Sequence, residues 1–204
     1  MKIKSVTLQN FRGYRGETTI NFDDLTALVG RNDIGKSTVM EALDIFFNDS
    51  KGIIKLDKND VNIEARNAGD TQISITVRFT DLPEDIVIDS VCETSLAKEY
   101  MLNAEGELEI IKRYFNGGTA RVFLRALHPT HPTCGGLLLK KDAELRAIIK
   151  ENGIDCRDQT KNYVMRASIW KHFADDLRLE TVELDVSKGE TKSIWSKLQG
   201  YLPL

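Results

Sequence analysis

The sequence predicts an α/β fold, with a mixed sheet, an antiparallel β-layer and a helical C-terminal part. Three observations support this prediction. β-rich segments with alternating polarity occur at Lys2–Asn10, Glu17–Phe22 and Thr71–Thr80, as expected of half-buried strands. Apolar residues recur at helical spacing over Lys36–Phe47. An Asn-Gly-Gly turn separates two further β-rich runs, which is typical of a hairpin.

The remaining elements are predicted in chain order from the same periodicities. The first two strands are expected to pair as a hairpin, and Leu25–Val29 is predicted to be a short buried central strand. Leu108–Tyr114 and Arg121–Leu127 flank the Asn-Gly-Gly turn and predict an antiparallel pair. Further helices are predicted at Lys140–Glu151, Tyr163–Leu179 and Thr191–Leu198.

Length and composition indicate a folded globular chain. The chain has 204 residues, of which 41% are hydrophobic and 29% charged. Its net charge of -3 gives no overall attraction to nucleic acid. The N-terminus lacks the apolar segment of a signal peptide, and no apolar run approaches the ~18 residues that a membrane span needs. Cys92, Cys134 and Cys156 are too scattered to suggest disulfides, so we expect a cytoplasmic protein with no membrane partner.

The Pro-, Gly- and Thr-rich segment His128–Gly136 predicts an internal boundary. It separates an N-terminal lobe at residues 1–130 from a helical segment at residues 131–204. The final residues, Tyr-Leu-Pro-Leu, are apolar, so we expect the chain to be part of a longer protein.

The segment Gly30–Ser37 carries the chemistry of the chain. It reads Gly-Arg-Asn-Asp-Ile-Gly-Lys-Ser and fits the pattern G-x-x-x-x-G-K-[ST]. Gly30 and Gly35 permit the backbone angles that turn successive N–H groups toward phosphates. The helix that begins near Lys36 points its positive end at the same place. Lys36 is expected to reach the β- and γ-phosphates, and the Ser37 hydroxyl to bind Mg²⁺.

This loop follows an apolar run and opens an amphipathic helix, which is the context that the pattern requires. The sequence therefore predicts a P-loop NTPase that binds Mg²⁺ and ATP. Thr38 adds a second hydroxyl to the phosphate shell. The nucleotide-binding candidates in this segment are Gly30, Arg31, Asn32, Asp33, Ile34, Gly35, Lys36, Ser37 and Thr38.

The N-terminal part resembles a known group of ATPases. A first strand, then Phe11-Arg12-Gly13-Tyr14, a second strand and a P-loop containing Asn32 are similar to the ABC-type heads of SMC, RecF and OLD (overcoming lysogenization defect) proteins. Their common loop is G-x-N-G-x-G-K-S, whereas this chain has Asp33 in place of the inner glycine. The form G-x-N-D-x-G-K-[ST] most resembles the OLD family, which joins such a head to a Toprim nuclease. The resemblance covers residues 1–47 and is looser to about residue 130.

The resemblance implies further roles. Arg12 is similar to the arginine that lies near the nucleotide in these heads; the alternative is a solvated arginine in a basic turn with Arg15. Asn32 would shape the loop or contact the γ-phosphate, or simply occupy a left-handed turn. Asp33 would face solvent, bind Mg²⁺ through water or contact a second head. The full-length protein is implied to form a homodimer around ATP and to act on DNA in repair or phage defence.

A complete head of this type also needs a Walker B strand, a signature motif and a switch histidine. No run of four apolar residues is followed by Asp-Glu, and the nearest candidate, Thr181–Asp185, is interrupted by Glu183, which favours an edge strand or loop. No signature motif or Toprim carboxylate set is recognisable. We therefore expect no catalytic residue within this chain. ATP hydrolysis is expected only when the chain is part of a full head dimer. The alternatives are a stand-alone ATP-binding module or regulatory subunit, and an SMC/RecF-type repair ATPase without a nuclease.

Two other features have alternative interpretations. His128, His131 and Cys134 have the spacing of three zinc ligands, but no second cluster supplies a fourth, and two prolines favour a plain loop. Trp170 and Trp195 lie at helical spacing among apolar residues, which favours core positions over base-stacking platforms.

Overall fold

The computed structural model describes residues 1–29, 35–49, 51–88, 93–188 and 191–203. The predictions for Gly30–Ile34 and Cys92 concern residues outside this described part. Among the helices that it contains, none has the length and apolarity that a bilayer crossing demands.

Strands and helices follow one another in short runs of one type along the described chain. The strands are β1 (Lys2–Gln9), β2 (Thr18–Asn21), β3 (Gln72–Thr80), β4 (Leu108–Phe115), β5 (Arg121–Pro129) and β6 (Leu179–Asp185). The helices are α1 (Lys36–Asn48), α2 (Ile63–Asn67), α3 (Asp142–Glu151), α4 (Asn162–His172) and α5 (Thr191–Gln199). The strands form a sheet in the order β2-β1-β3-β4-β5-β6.

The chain divides into two compact units, each of which is discontinuous in sequence. The unit that contains α1, here called the α1 unit, comprises Lys2–Thr80, Ile110–Val122 and Pro203–Leu204. The unit that contains α4, here called the α4 unit, comprises Met1, Asp81–Glu109 and Phe123–Leu202.

Strand β1 lies between β2 and β3 in the α1 unit and pairs antiparallel with both, which confirms the predicted N-terminal hairpin. Thr7 lies opposite Thr19 on β2 and opposite Thr76 on β3. The apolar residues of β3 are fully buried, as their alternation predicts; they are Ile73, Ile75, Val77 and Phe79. Burial of each such side chain contributes about 1.5–3 kcal/mol of transfer free energy.

Helix α1 confirms the helix predicted at Lys36–Phe47 and packs its apolar face in the α1 unit. The Phe46 and Phe79 rings have centroids 6.4 Å apart, and those of Phe47 and Phe79 are 6.2 Å apart. These contacts place the helix against β3. The predicted β4–β5 hairpin is also confirmed, since Asn116 and Gly117 turn the chain with φ of 51° and 71°, as a type I′ turn requires.

The prediction of a central strand at Leu25–Val29 is wrong. This run has no strand pairing, and Leu25 and Val29 are each 91% exposed. A buried parallel strand needs neighbours on both edges and layers on both faces, and the described residues supply neither to this run. The parallel strand that would make the sheet mixed is therefore missing from the described part.

Strands β5 and β6 pair antiparallel in the α4 unit, with Phe123 opposite Asp185 and Pro129 opposite Leu179. Thr181–Asp185 lies in β6, at the end of the strand order, which confirms the edge-strand interpretation. Helices α3 and α4 pack around a core that includes Leu145, Ile149, Met165, Ile169 and Trp170. Trp170 and Trp195 are both buried, so their predicted core positions are confirmed.

Helix α4 is shorter than predicted. It ends at His172, and a single 3₁₀ turn at Ala174–Asp176 leads into β6. Asp175 and Asp176 would place two negative charges in the last turn of a longer helix, where the carbonyl end of the macrodipole is already negative. The adjacent acids thus favour a turn at this point over continuation of the helix.

Candidate nucleotide-binding site

Helix α1 begins directly after Gly35, where the described part of the predicted loop starts. Gly35 has φ 82° and ψ 10°, in the left-handed region that favours glycine. A Cβ at this position would lie 3.1 Å from Tyr14 Oη and 3.3 Å from Tyr14 Cε2. The backbone angle and the tyrosine ring therefore both disfavour a side chain at residue 35.

The first turn of α1 carries the polar residues expected of a phosphate site. Ser37 is exposed, whereas Lys36 and Thr38 are half-buried. This turn contains no acidic residue, and its N-cap residue, Gly35, has no side chain to cap it. The first N–H groups and the positive end of the helix dipole are therefore open to an anion.

The Phe11–Tyr14 turn packs against this helix start. Phe11 N donates to Tyr14 O at 2.9 Å, and Tyr14 N donates to Phe11 O at 2.8 Å. Phe11 is fully buried, which anchors the turn. Tyr14 Oη donates to Gly35 O at 3.3 Å, so the turn supports the residue that precedes the helix.

Arg12 connects this turn to α1 and to a neighbouring loop. Its Nη1 pairs with Glu41 in the second turn of α1, and its Nε donates to Asp60 Oδ1 at 2.8 Å. The Arg12 side chain is 32% exposed. Arg15, in contrast, forms an exposed pair with Glu64 at 2.5 Å. Arg12 is therefore a bridge at the side of α1, and its predicted contact with nucleotide stays a prediction.

A capped turn fixes the loop that holds Arg12. Asp57 N donates to Asp60 Oδ2 at 2.9 Å, and Asn62 Nδ2 donates to Arg12 O at 2.6 Å. Asn62 Oδ1 also accepts from Glu64 N at 3.0 Å, which caps α2. Helix α2 was not predicted, although an asparagine before an apolar residue is a recognised N-terminal helix signal.

A buried lysine holds the opposite end of α1. Lys112 Nζ donates to Phe46 O at 2.6 Å and pairs with Asp49, and the Lys112 side chain is only 1% exposed. Burial lowers the pKa of Lys112, while the hydrogen bond and charge of Asp49 oppose this effect. A cation at the last carbonyls complements the helix dipole. The role of Lys112 was not predicted, because its only signal in the sequence is a lysine inside the apolar run of β4.

The comparison with known proteins agrees with this geometry. The whole chain, residues 1–204, matches the family described as AAA ATPase domain. This chain belongs to that family. The membership confirms the predicted α/β P-loop NTPase fold.

Two similar proteins belong to the SMC group. A stretch of 44 residues, 21% of this ATPase domain, is 46% identical to the chromosome partition protein Smc of Halobacteriovorax marinus and covers 4% of that protein's length. A structure solved in work on ATP-driven dimerization and DNA-stimulated activation of SMC ATPases covers 74% of this chain and 99% of its own, at 17% identity and a TM-score of 0.40. The Smc match agrees with the SMC-like part of the predicted resemblance over that stretch alone.

The described residues of the ATPase domain fit a magnesium-bound triphosphate. Lys36 would supply a cation to the phosphates, Ser37 an exposed hydroxyl to Mg²⁺, and the open start of α1 its N–H groups. Bound magnesium would neutralise part of the phosphate charge. The other five loop candidates, from Gly30 to Ile34, lie outside the described residues.

The histidines and cysteine with zinc-like spacing have separate contacts in the ATPase domain. His128 Nδ1 donates to Tyr100 O at 2.9 Å, and the His131 ring stacks on Phe173 with centroids 5.1 Å apart. Cys134 is buried, and burial raises the pKa of its thiol. In the part of the chain that the structure describes, no group of three or more His, Cys, Asp or Glu residues could hold a metal ion.

Proposed function

We propose that this chain is the ATP-binding lobe of an SMC-like ATPase that acts on DNA. The observation that carries the proposal is the open start of α1, where left-handed Gly35 precedes Lys36 and the exposed Ser37. Such a helix start binds the β- and γ-phosphates of a nucleotide together with their magnesium ion. The stretch that is 46% identical to chromosome partition protein Smc supports the SMC-like setting.

ATP hydrolysis is proposed to depend on parts beyond the described residues. A Walker B carboxylate must end an apolar strand beside the magnesium ion. Glu183, the acid that interrupts the nearest apolar run, accepts from Arg125 Nη2 at 3.0 Å within the β5–β6 pair. We infer that a second ATP-bound copy and a Walker B strand outside this lobe complete the site, with DNA as the effector of the assembled dimer.

A finer proposal is that the full protein is an OLD-like ATP-dependent endonuclease of DNA repair or phage defence. Asn32-Asp33 in the loop supports it, because that pair distinguishes the OLD form of the loop from the common one. The sequence of the full gene tests it: a Toprim carboxylate set supports the nuclease, and a Walker B strand without one supports an SMC/RecF-type repair ATPase. A gene that supplies neither points to a stand-alone ATP-binding module.

Titration of the chain with Mg-ATP tests the central proposal. Lys36→Ala removes the phosphate-binding cation and is expected to raise the dissociation constant at least about tenfold. Lys51→Ala is the matched control, because Lys51 is an exposed lysine after α1 and outside the loop. Equal Mg-ATP affinity in both variants would show that the phosphate loop is not part of the binding site. Lys36-dependent ATP turnover by the chain alone would contradict the need for a second part.

A further inference from the structure

The α4 unit contains a cleft of about 450 Å³. Residues 93–100, α4 and the turn that follows it line this cleft, and no residue of the described phosphate-loop segment does. Small-molecule sites in proteins commonly measure about 300–1,000 Å³. The cleft is therefore large enough for a ligand of nucleotide size.

Aromatic side chains form much of the lining. Tyr100, Tyr163 and Trp170 border the cleft, and the Tyr100 and Trp170 rings meet edge to face with centroids 5.0 Å apart. Trp170 Nε1 donates to Cys134 O at 3.0 Å, which fixes the indole. Ala97 and Ala167 also line the cleft, and their small side chains leave room beside the rings.

Tyr100 has two features that packing alone does not require. Its φ is 52°, and this left-handed conformation disfavours an aromatic residue by about 1–2 kcal/mol. Backbone strain of this kind is concentrated at functional sites. The Tyr100 hydroxyl has no hydrogen-bond partner among the residues described, so it is available to a ligand.

Buried polar groups lie behind the aromatic lining. Glu99 accepts from Thr94 Oγ1 at 3.0 Å and from Arg166 Nε at 2.7 Å, and both members of the ion pair are buried. Each Glu99 oxygen therefore has a donor, and the pair adds no net charge. His128 is also buried; its Nδ1 donates to Tyr100 O, while its Nε2 has no partner in the described structure. Such an orphaned acceptor is uncommon in structural cores.

Charged side chains at the opening favour an anion. Lys98 and Lys171 line the cleft, are exposed, and form no ion pair with any described residue. Among the described lining residues, Glu93 is the one other charged residue apart from Glu99, which Arg166 neutralises. Two ammonium groups against one carboxylate leave the opening with a net positive charge.

We propose that this cleft binds a nucleotide unit, with its base against the half-buried rings of Tyr100 and Tyr163 and its phosphate at Lys98 and Lys171. Aromatic stacking beside lysine is the chemistry by which proteins hold unpaired bases. The same unit occurs in a free nucleotide and in single-stranded nucleic acid. The proposal concerns a site separate from the phosphate loop and does not depend on the function proposed above.

Fluorescence anisotropy of the full chain tests the cleft. The chain carries Lys36→Ala throughout, so that the phosphate loop contributes little. The probes are a labelled oligothymidylate of about ten nucleotides, within the size that such sites cover, and a labelled adenosine monophosphate. Ala167→Phe fills the cleft and is expected to raise the dissociation constant of the bound probe at least about tenfold. Ala147→Phe, at an exposed alanine of α3, is expected to leave it unchanged.

The two probes distinguish the sources of the ligand. Binding of the oligonucleotide alone assigns the cleft to single strands, and binding of both probes assigns it to the nucleotide unit itself. If neither probe binds, or if Ala167→Phe and Ala147→Phe bind equally well, the proposal is wrong.

Exposed lysines provide a second test that does not disturb the core. Single-stranded complexes lose affinity with salt at a slope of about 0.7 per phosphate contact. Lys98→Ala with Lys171→Ala is therefore expected to reduce that slope by about 1.4 for the oligonucleotide, and to weaken monophosphate binding. Lys150→Ala, at an exposed lysine of α3, should change neither. If the double variant keeps the same salt slope and the same affinity, Lys98 and Lys171 do not contact the phosphate and the proposal is wrong.

Discussion

At Gly35 two different constraints meet at one residue. Its φ of 82° disfavours any side chain, and Tyr14 Oη lies 3.1 Å from the position that a Cβ would take. Gly69 has the same φ of 82° but has nothing within 4 Å of its Cβ position. Alanine substitutions at Gly35 and Gly69 therefore distinguish the effect of backbone strain from the effect of displacing Tyr14.

We expect Gly35→Ala and Gly69→Ala each to lower the free energy of unfolding by about 1 kcal/mol, through left-handed strain. Gly35→Ala alone is expected to lower Mg-ATP affinity, because its methyl group would push Tyr14 away from the helix start. Urea unfolding and ATP titration of both variants measure the two effects. Equal ATP affinity in the two variants would mean that the Tyr14 contact has no role in the site.

At the scale of the element, α1 is attached along its side as well as at its start. Arg12 joins Glu41 on the helix to Asp60 in the next loop, and these three side chains are partly buried. Half-buried charges in a network lose less to solvent screening than an isolated surface pair. Arg15–Glu64 is such a surface pair on the same turn and makes a natural control.

Arg12→Ala is accordingly expected to lower the free energy of unfolding by about 1 kcal/mol, and Glu41→Gln by a similar amount. Arg15→Ala should change it by less than about 0.5 kcal/mol. Chemical denaturation of the three variants checks the ranking, and an Arg12/Glu41 double-mutant cycle gives the coupling. If Arg12→Ala loses no more free energy of unfolding than Arg15→Ala, the Arg12 bridge does not stabilise α1.

The elements also show what sequence alone could predict. Strand β3 was predictable because its buried residues, Ile73, Ile75 and Val77, are apolar residues that alternate along the sequence. The phosphate loop stays a prediction, since residues 30–34 lie outside the described part; the structure shows only a left-handed Gly35 before α1. Leu25–Val29 was predicted wrongly, since an apolar run is buried only where other residues cover it, and the cover is not encoded in the run itself.

The contacts that position the site could not be predicted from the sequence. Arg12 is 29 residues from Glu41 and 48 from Asp60, and Lys112 is 66 from Phe46. No local pattern links positions so far apart, because only the folded sheet brings them together. Lysine and arginine side chains are usually exposed, so no local signal predicts the burial of Lys112 or the partial burial of Arg12.

For the molecule as a whole, Lys112 links stability to pH. Burial lowers its folded-state pKa below the ordinary value of 10.5. Between the folded and unfolded pKa values the unfolded chain therefore binds more protons, so this residue makes stability rise with pH in that alkaline window. Its contribution is complete above 10.5 and is lost as pH falls through the folded pKa.

The variant Lys112→Met keeps the length of the side chain and removes the titration. The free energy of unfolding of the wild type, minus that of Lys112→Met, is expected to increase as pH rises toward 10.5. Urea unfolding at a series of alkaline pH values measures this difference. A difference that stays constant or decreases across the series would contradict the burial effect on Lys112.

Helix α1 is held near both ends, by Tyr14 at Gly35 and by Lys112 at Phe46 and Asp49. Its 13 residues make a rod about 20 Å long. A rod fixed in this way resists sliding along its own axis. A phosphate group bound at its start would therefore load β4 through Lys112 and β3 through the packed Phe46 ring.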